Sequence, residues 1–165
     1  MDLKDALLVV DLQNGVMNFE EGLPDSEKII EYAGERINEY SNAGKPVFIV
    51  RHSDEGLKKG TEDWKTVPEI SEYRDLIYID KKHPNAFYET DLKELLDKHK
   101  VKSFEILGAE TGYCMDATIK FGHGLGYDIF MKKGMHTTSD IGYLSQEDTR
   151  KMFEEIWNVR FLTLE

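Results

Sequence analysis

The chain opens on an unbroken apolar run, Ala6-Leu7-Leu8-Val9-Val10, that stops abruptly at Asp11-Leu12-Gln13-Asn14-Gly15. A short run of branched residues without polar alternation suits a parallel strand covered on both faces. Similar runs follow at Pro46–Val50, Leu76–Ile79, Phe104–Leu107 and Asp128–Met131, and Val159–Leu164 is expected to close the chain as a sixth strand. Between them the apolar period becomes helical. Ile29, Ile30, Ala33, Ile37 and Tyr40 share a face between Ser26 and Asn42, with Gly44 as the stop signal. Thr90 is the expected N-cap of a helix carrying Leu92, Leu95 and Leu96. The next helix should align Cys114, Ala117, Thr118, Phe121 and Leu125 along one side. Ser145 and Asp148 form an acidic variant of a capping box ahead of Met152, Phe153, Ile156 and Trp157. Strands alternating with helices predict an α/β fold, a three-layer α/β/α sandwich on a mostly parallel six-stranded sheet, as one domain spanning residues 1–165.

One stretch breaks the alternation. Residues 53–75 hold Gly56, Gly60, Pro68 and many charges. A loop this long inside a compact domain is more often a functional cover than a mere connection.

Composition narrows the classes. Hydrophobic residues make up 40% and charged residues 32% of the 165, an ordinary globular balance without a disordered tract. A net charge of −11 opposes non-specific nucleic-acid binding and places the acidic residues on a solvated surface. No apolar run approaches membrane-spanning length and no signal pattern precedes the first strand, so a cytoplasmic setting without membrane association is expected. The single cysteine, Cys114, excludes an intramolecular disulfide and suits a reducing compartment.

Cys114 follows a strand and a tight polar turn, at the start of a helix. There the helix dipole and unpaired N–H groups favour a thiolate, and a pKa below that of a free thiol is expected. A lone cysteine also commonly serves as a small buried apolar residue, and the turn by itself leaves both readings open. Two further polar groups end strands, Asp11 and Lys81. Ligand sites in open α/β sheets lie beyond the carboxyl ends of the strands. A carboxylate to take the thiol proton, an ammonium to hold the charge and a thiolate to attack carbon make a coherent nucleophilic set. Individually, Asp11 also reads as a turn residue and Lys81 as a surface charge.

The segments Leu7-Leu8-Val9-Val10-Asp11-Leu12-Gln13-Asn14, Lys81-Lys82-His83-Pro84-Asn85-Ala86-Phe87 and Gly108-Ala109-Glu110-Thr111-Gly112-Tyr113-Cys114 occur in that order. With Ala117-Thr118, Leu125-Gly126-Tyr127 and His136-Thr137-Thr138, the set resembles the isochorismatase-like cysteine hydrolases, which include nicotinamidases and related amidohydrolases. The resemblance covers nearly the whole chain. It implies an Asp-Lys-Cys triad at Asp11, Lys81 and Cys114, with Lys81 selected over Lys82 by its distance from Ala86-Phe87. It further implies a cis peptide at Ala109-Glu110, with the N–H groups of Glu110 and Cys114 as an oxyanion hole. The implied reaction is hydrolysis of a small-molecule C–N bond through a thioester, with no cofactor. The alternatives within the same fold are a catalytically silent binding protein and a non-amide, isochorismatase-type hydrolase. The latter generally lack the nucleophilic cysteine, so Cys114 favours amide chemistry.

Departures from the family pattern matter too. Nicotinamidases carry an Asp-x-His metal segment after the second strand, whereas this chain has Arg51-His52-Ser53-Asp54. The five histidines show no metal-ligand spacing, and no metal is expected. Gly134 stands where many relatives place an acidic residue. Gly122-His123-Gly124-Leu125-Gly126 follows a helix and precedes a strand, the wrong order for phosphate binding, and reads as helix termination and a turn. Gln13, Phe19, His52, Trp64, Phe87 and Tyr113 are the candidate substrate-pocket residues, although the aromatics also suit an ordinary core. The resemblance implies a homo-oligomer, at least a dimer, with Trp64 or its neighbours near the contact or pocket mouth and the 53–75 loop ordering against a partner.

Overall fold

Burial on two sides decides the architecture. In the computed structural model, which describes residues 1–165, the first strand β1 (Ala6–Val10) turns Ala6, Leu8 and Val10 into one core and Leu7 and Val9 into another. It is flanked by β2 (Val47–His52) and β4 (Ser103–Ala109), and β3 (Ile77–Lys81), β5 (Asp128–Met131) and β7 (Thr163–Leu164) extend the sheet outward. The order is β3-β2-β1-β4-β5-β7, with the short β6 (His136–Thr137) beside β4, and every pairing is parallel. Helix α2 (Ser26–Asn42) covers one face with the short α1 (Asn14–Met17) and α3 (Pro68–Ser71). Helices α4 (Leu92–Lys98), α5 (Asp116–Gly124) and α6 (Gln146–Trp157) cover the other. The three-layer sandwich expected from the alternation is present, with seven strands rather than six.

Several local expectations change. The final strand is only Thr163–Leu164, because Val159 adopts a positive φ of 69° and its N–H turns back to the Leu162 carbonyl. Helix α4 begins after Asp91 rather than Thr90, although the Thr90 hydroxyl still accepts the Leu92 N–H at 3.3 Å. Ser145 caps α6 as expected, accepting the Asp148 N–H at 3.1 Å. A π-helical turn at Thr111–Met115 precedes α5 and rotates its buried face by one residue. Met115, Thr118, Ile119 and Gly122 are buried there, while Phe121 and Leu125 are exposed. Gly122 thus lies within the helix rather than ending it. A Cβ there would meet Ile129, Phe104 and Phe87 atoms at 3.1–3.3 Å, so the glycine lets α5 press onto the sheet.

Away from the strand ends, β4 carries a fully buried charge. Glu105 accepts from Tyr32 Oη at 2.8 Å, Tyr40 Oη at 3.0 Å and Arg36 Nε at 2.9 Å, all from α2. Burial and the Glu105 charge push both tyrosines upward in pKa. Breaking a buried ion pair strands its partner and costs about 3–5 kcal/mol. Glu105→Leu should therefore lower unfolding stability by about that amount in urea denaturation, by taking away the buried partner of the Arg36 guanidinium and leaving it only Glu39 at the surface. Lys151→Ala, which removes an exposed pair with Glu147, should leave the midpoint where it was.

Candidate active site

The strand order reverses between β1 and β4, and this switch point is where a crevice opens beyond the strand ends. Asp11 is the first residue after β1 and adopts a left-handed φ of 53°. Cys114 follows β4 within the π-helical turn. Gly108 allows the two strands to approach: with φ at 134°, a Cβ there would fall 2.0 Å from the Val10 carbonyl oxygen. Lys81 ends β3 in register with His52, the last residue of β2.

These strand ends bring four side chains together. The Lys81 ammonium lies 2.8 Å from Asp11 Oδ2, 3.1 Å from Cys114 Sγ and 3.2 Å from His52 Nδ1. Asp11, Lys81 and Cys114 are buried, whereas Lys82 points to solvent, as strand alternation requires. Asp11 Oδ1 is buried and has no hydrogen-bond partner. The Ala109–Glu110 peptide is cis, as the family resemblance implied.

Asp11, His52 and Cys114 offer ligand atoms within 4.8 Å of one another, so the fold creates a donor cluster that histidine spacing does not reveal. Their shared focus holds the Lys81 ammonium, which would have to leave before a metal could enter. The residues therefore fit a lysine cation rather than a metal ion.

The electrostatics overturn one expectation. Burial, then the Asp11 carboxylate, push the Cys114 thiol upward in pKa, and Lys81 only partly opposes them. Desolvation is the largest cause, and the carboxylate's push ranks ahead of the ammonium's pull. Lys81 itself is held above the ordinary lysine range: burial pulls it down, but Asp11 and Cys114 outweigh burial.

A cavity of about 690 Å³ opens onto the cluster, lined by Asp11, Phe19, His52, Tyr113 and Cys114 among others. Phe19, His52 and Tyr113 thus occupy the expected place, and three other candidates do not. Gln13 is fully buried and acts as a clamp, donating to the His52 and Trp64 carbonyls at 2.9 and 2.7 Å and accepting the His52 N–H at 2.7 Å. Trp64 is buried beneath the Arg51 guanidinium, 4.1 Å from its ring, and so is neither at the pocket wall nor exposed for a partner. Phe87 packs in the core against Phe121 and Tyr127.

The 53–75 loop is already stitched down within this chain. Asn14 and Gly15 N–H groups donate to the Lys65 and Asp63 carbonyls, Gln13 pairs with Thr66, and the Val67 N–H reaches the Leu12 carbonyl. The loop brings Asp54, Leu57 and Asp63 to the cavity, which also takes in Gly15, Pro84 and Ser139. Sequence reading marked the 53–75 loop as a functional cover without singling out these residues. Only the turn at Asn14-Gly15 marked where the loop would land.

Gly134 also acquires a role. Its N–H donates at 2.8 Å to Glu154 Oε1, so a carboxylate from α6 reaches the position after β5. The same oxygen lies 3.3 Å from His136 Nε2, while His136 Nδ1 lies 2.9 Å from Thr111 Oγ1, at the start of the π-helical turn.

The parallel sheet between two helical layers, with its cysteine at the switch point, defines a three-layer α/β/α fold. More narrowly, the chain belongs to the isochorismatase family: residues 5–155 match the model of the Isochorismatase domain. It is similar to the isochorismatase family protein YddQ of Bacillus subtilis (strain 168), with 32% identity over 128 residues, 74% of this chain and 71% of that protein. A crystal structure of an isochorismatase family protein superposes with a TM-score of 0.93 at 33% identity, covering 97% of this chain and 96% of the other. The fold is also that of N-carbamoylsarcosine amidase from Thermoplasma acidophilum, with a TM-score of 0.81 at 21% identity, covering 99% and 96%.

The raised thiol gives a direct test. The alkylation rate of Cys114 by iodoacetamide should rise with pH to a midpoint above the ~8.5 of a free thiol. Asp11→Asn should move that midpoint down, because Lys81 would then act on the sulfur unopposed. A midpoint below a model thiol's in the unaltered protein would contradict this electrostatic assignment.

Proposed function

We propose that the chain hydrolyses a C–N bond of a small amide through a thioester on Cys114. The observation that carries this reading is the Lys81 ammonium bridging Asp11 Oδ2 and Cys114 Sγ while Asp11 Oδ1 stays unpartnered beside the cavity. A buried carboxylate oxygen without a donor is a ready proton acceptor.

With the resting thiol protonated, nucleophile and base act together. Asp11 Oδ1 takes the thiol proton as Sγ attacks the carbonyl carbon, so the thiolate need not exist in advance. Lys81 holds the negative charge as it moves between sulfur and carboxylate. The backbone N–H groups of Glu110 and Cys114, two residues that line the same cavity, are assigned to the tetrahedral oxyanion. Each such donor typically contributes 10²–10³ in rate. Asp11 returns its proton to the departing nitrogen, the C–N bond breaks, and an amine or ammonia leaves. The same carboxylate then removes a proton from water, whose oxygen attacks the thioester. Sulfur leaves, regaining the proton, and the acid is released. One amide and one water give one acid and one amine, with no cofactor in the balance.

His52 borders Lys81 rather than Cys114 and helps keep the ammonium oriented, with Asp54 Oδ2 3.1 Å from its other nitrogen. Family membership and the hydrolase fold support the class of reaction, and the geometry above supports the assignment of roles.

Ammonia release should be followed over a panel of small amides, ureas and carbamoyl compounds. On any substrate found, Cys114→Ala should remove turnover by at least about 10³-fold. Lys81→Ala should come close to that loss, whereas Lys82→Ala should retain most activity. Acid-quenched samples should carry an acyl adduct on Cys114. Turnover that survives Cys114→Ala would end this reading.

A further inference from the structure

The cavity has an unusual charge balance. Of its fourteen lining residues four are carboxylates, Asp11, Asp54, Asp63 and Glu110, and none is lysine or arginine. Nearby cations are engaged elsewhere. Arg51 stacks on Trp64 and pairs with Asp80, Lys59 pairs with the same aspartate, and Lys81 is held behind the wall by Asp11.

The carboxylates themselves are unevenly satisfied. Asp54 is occupied by His52 and by the N–H groups of Gly56 and Leu57. Asp63 and Glu110 enter none of the molecule's salt bridges. Glu110 and Ser139 line the cavity together, and Asp11 Oδ1, fully buried, has no partner.

The backbone that carries the exposed Asp63 side chain is fixed. The Gly15 N–H donates to its carbonyl at 2.8 Å, and a Cβ on Gly15 would fall 2.8 Å from both Asp63 Cβ and Leu57 Cδ1. Only glycine lets the Asp63 backbone and Cβ approach so closely. Phe19 and Tyr113, each about half exposed, add aromatic rings to the same wall. Carboxylates beside aromatic faces make a setting for a cation. Like charges sharing a cavity repel, and burial together with the Asp11 carboxylate pushes Glu110 upward in pKa. A bound cation relieves that repulsion, whereas an anionic ligand adds to it.

We propose that the pocket selects small amides whose non-reacting end is cationic, an ammonium or guanidinium group, and turns away carboxylate-bearing ones, with Asp63 and Glu110 as the selecting residues. The substrate class rests on the amide-hydrolase reading, but the charge preference of the pocket is measurable without turnover.

Cys114 is the only cysteine, so thiol modification reads a single site. Rates with trimethylammonioethyl, methyl and sulfonatoethyl methanethiosulfonate should be normalised to those with 2-mercaptoethanol. The cationic reagent should then outpace the anionic one by about tenfold or more at low salt, with the ratio falling as salt is added. The double variant Asp63→Asn, Glu110→Gln should bring the ratio to within about threefold of unity. Asp2→Asn, Asp128→Asn makes the same change in net charge near the amino ends of β1 and β5 and should leave the ratio in place. A ratio near one in the unaltered protein, or an equal shift in the distal variant, would overturn the proposal. Matched cationic and uncharged amides complete the test. Hydrolysis without preference for the cationic member overturns the selectivity alone. A preference in thiol modification with no amide hydrolysed upholds the pocket's charge and overturns the hydrolase reading.

Discussion

A lysine ammonium taken out of water is the constraint on which the site depends. Lys81 is about 1% exposed, and an ion so far from solvent pays a desolvation penalty of several kcal/mol unless its partners are well placed. Asp11 supplies the opposing charge, and Cys114 and His52 complete the shell. Because these groups come from the ends of four different strands, they meet only when β1, β2, β3 and β4 are in correct register. Gly108 belongs to the same requirement, since a side chain there would push β4 away from Val10. The ion cluster and the sheet therefore specify each other.

That burial also governs the Cys114 thiol. A helix start and a nearby lysine are ordinary means of lowering a thiol pKa, and here they are outweighed by exclusion of water and by an adjacent carboxylate. On the proposed reading, such a thiol stays protonated until proton transfer to Asp11 accompanies its attack. The Asp11 oxygen left without a donor fits this behaviour. Polar groups without partners are costly in a fold, and they tend to be kept where a reaction uses them.

Around this cluster the chain ties down the segments that border the cavity. Gln13 ties the end of β2 to the 53–75 loop, and Gly15 lets the loop settle against α1. On the other side, Glu154 reaches the π-helical turn through His136 and Thr111. Both arrangements add hydrogen bonds to the apolar contacts by which Val67 and Trp157 already join the two cores.

The layers of the fold and the chemical trio were legible in the sequence, because both rest on local pattern. Apolar runs of strand length report burial on two faces, and each of Asp11, Lys81 and Cys114 stands at the point where such a run or its turn ends. Lys81 could be chosen over Lys82 for the same local reason, strand alternation together with a motif spacing. What the sequence could not determine depends on partners distant along the chain. The aromatics illustrate this: Trp64 and Phe87 have the same composition signal as Phe19 and Tyr113, yet only the latter pair faces the cavity. The π-helical turn moved the buried face of α5 by one residue, which no apolar period announces. The thiol's shift and the acidic lining of the pocket likewise arise from desolvation and from charges brought together through space. Local patterning determined the strands, the helices and the residues that end them, while burial and long-range proximity, properties of the folded chain alone, decided the charge state and shape of the site.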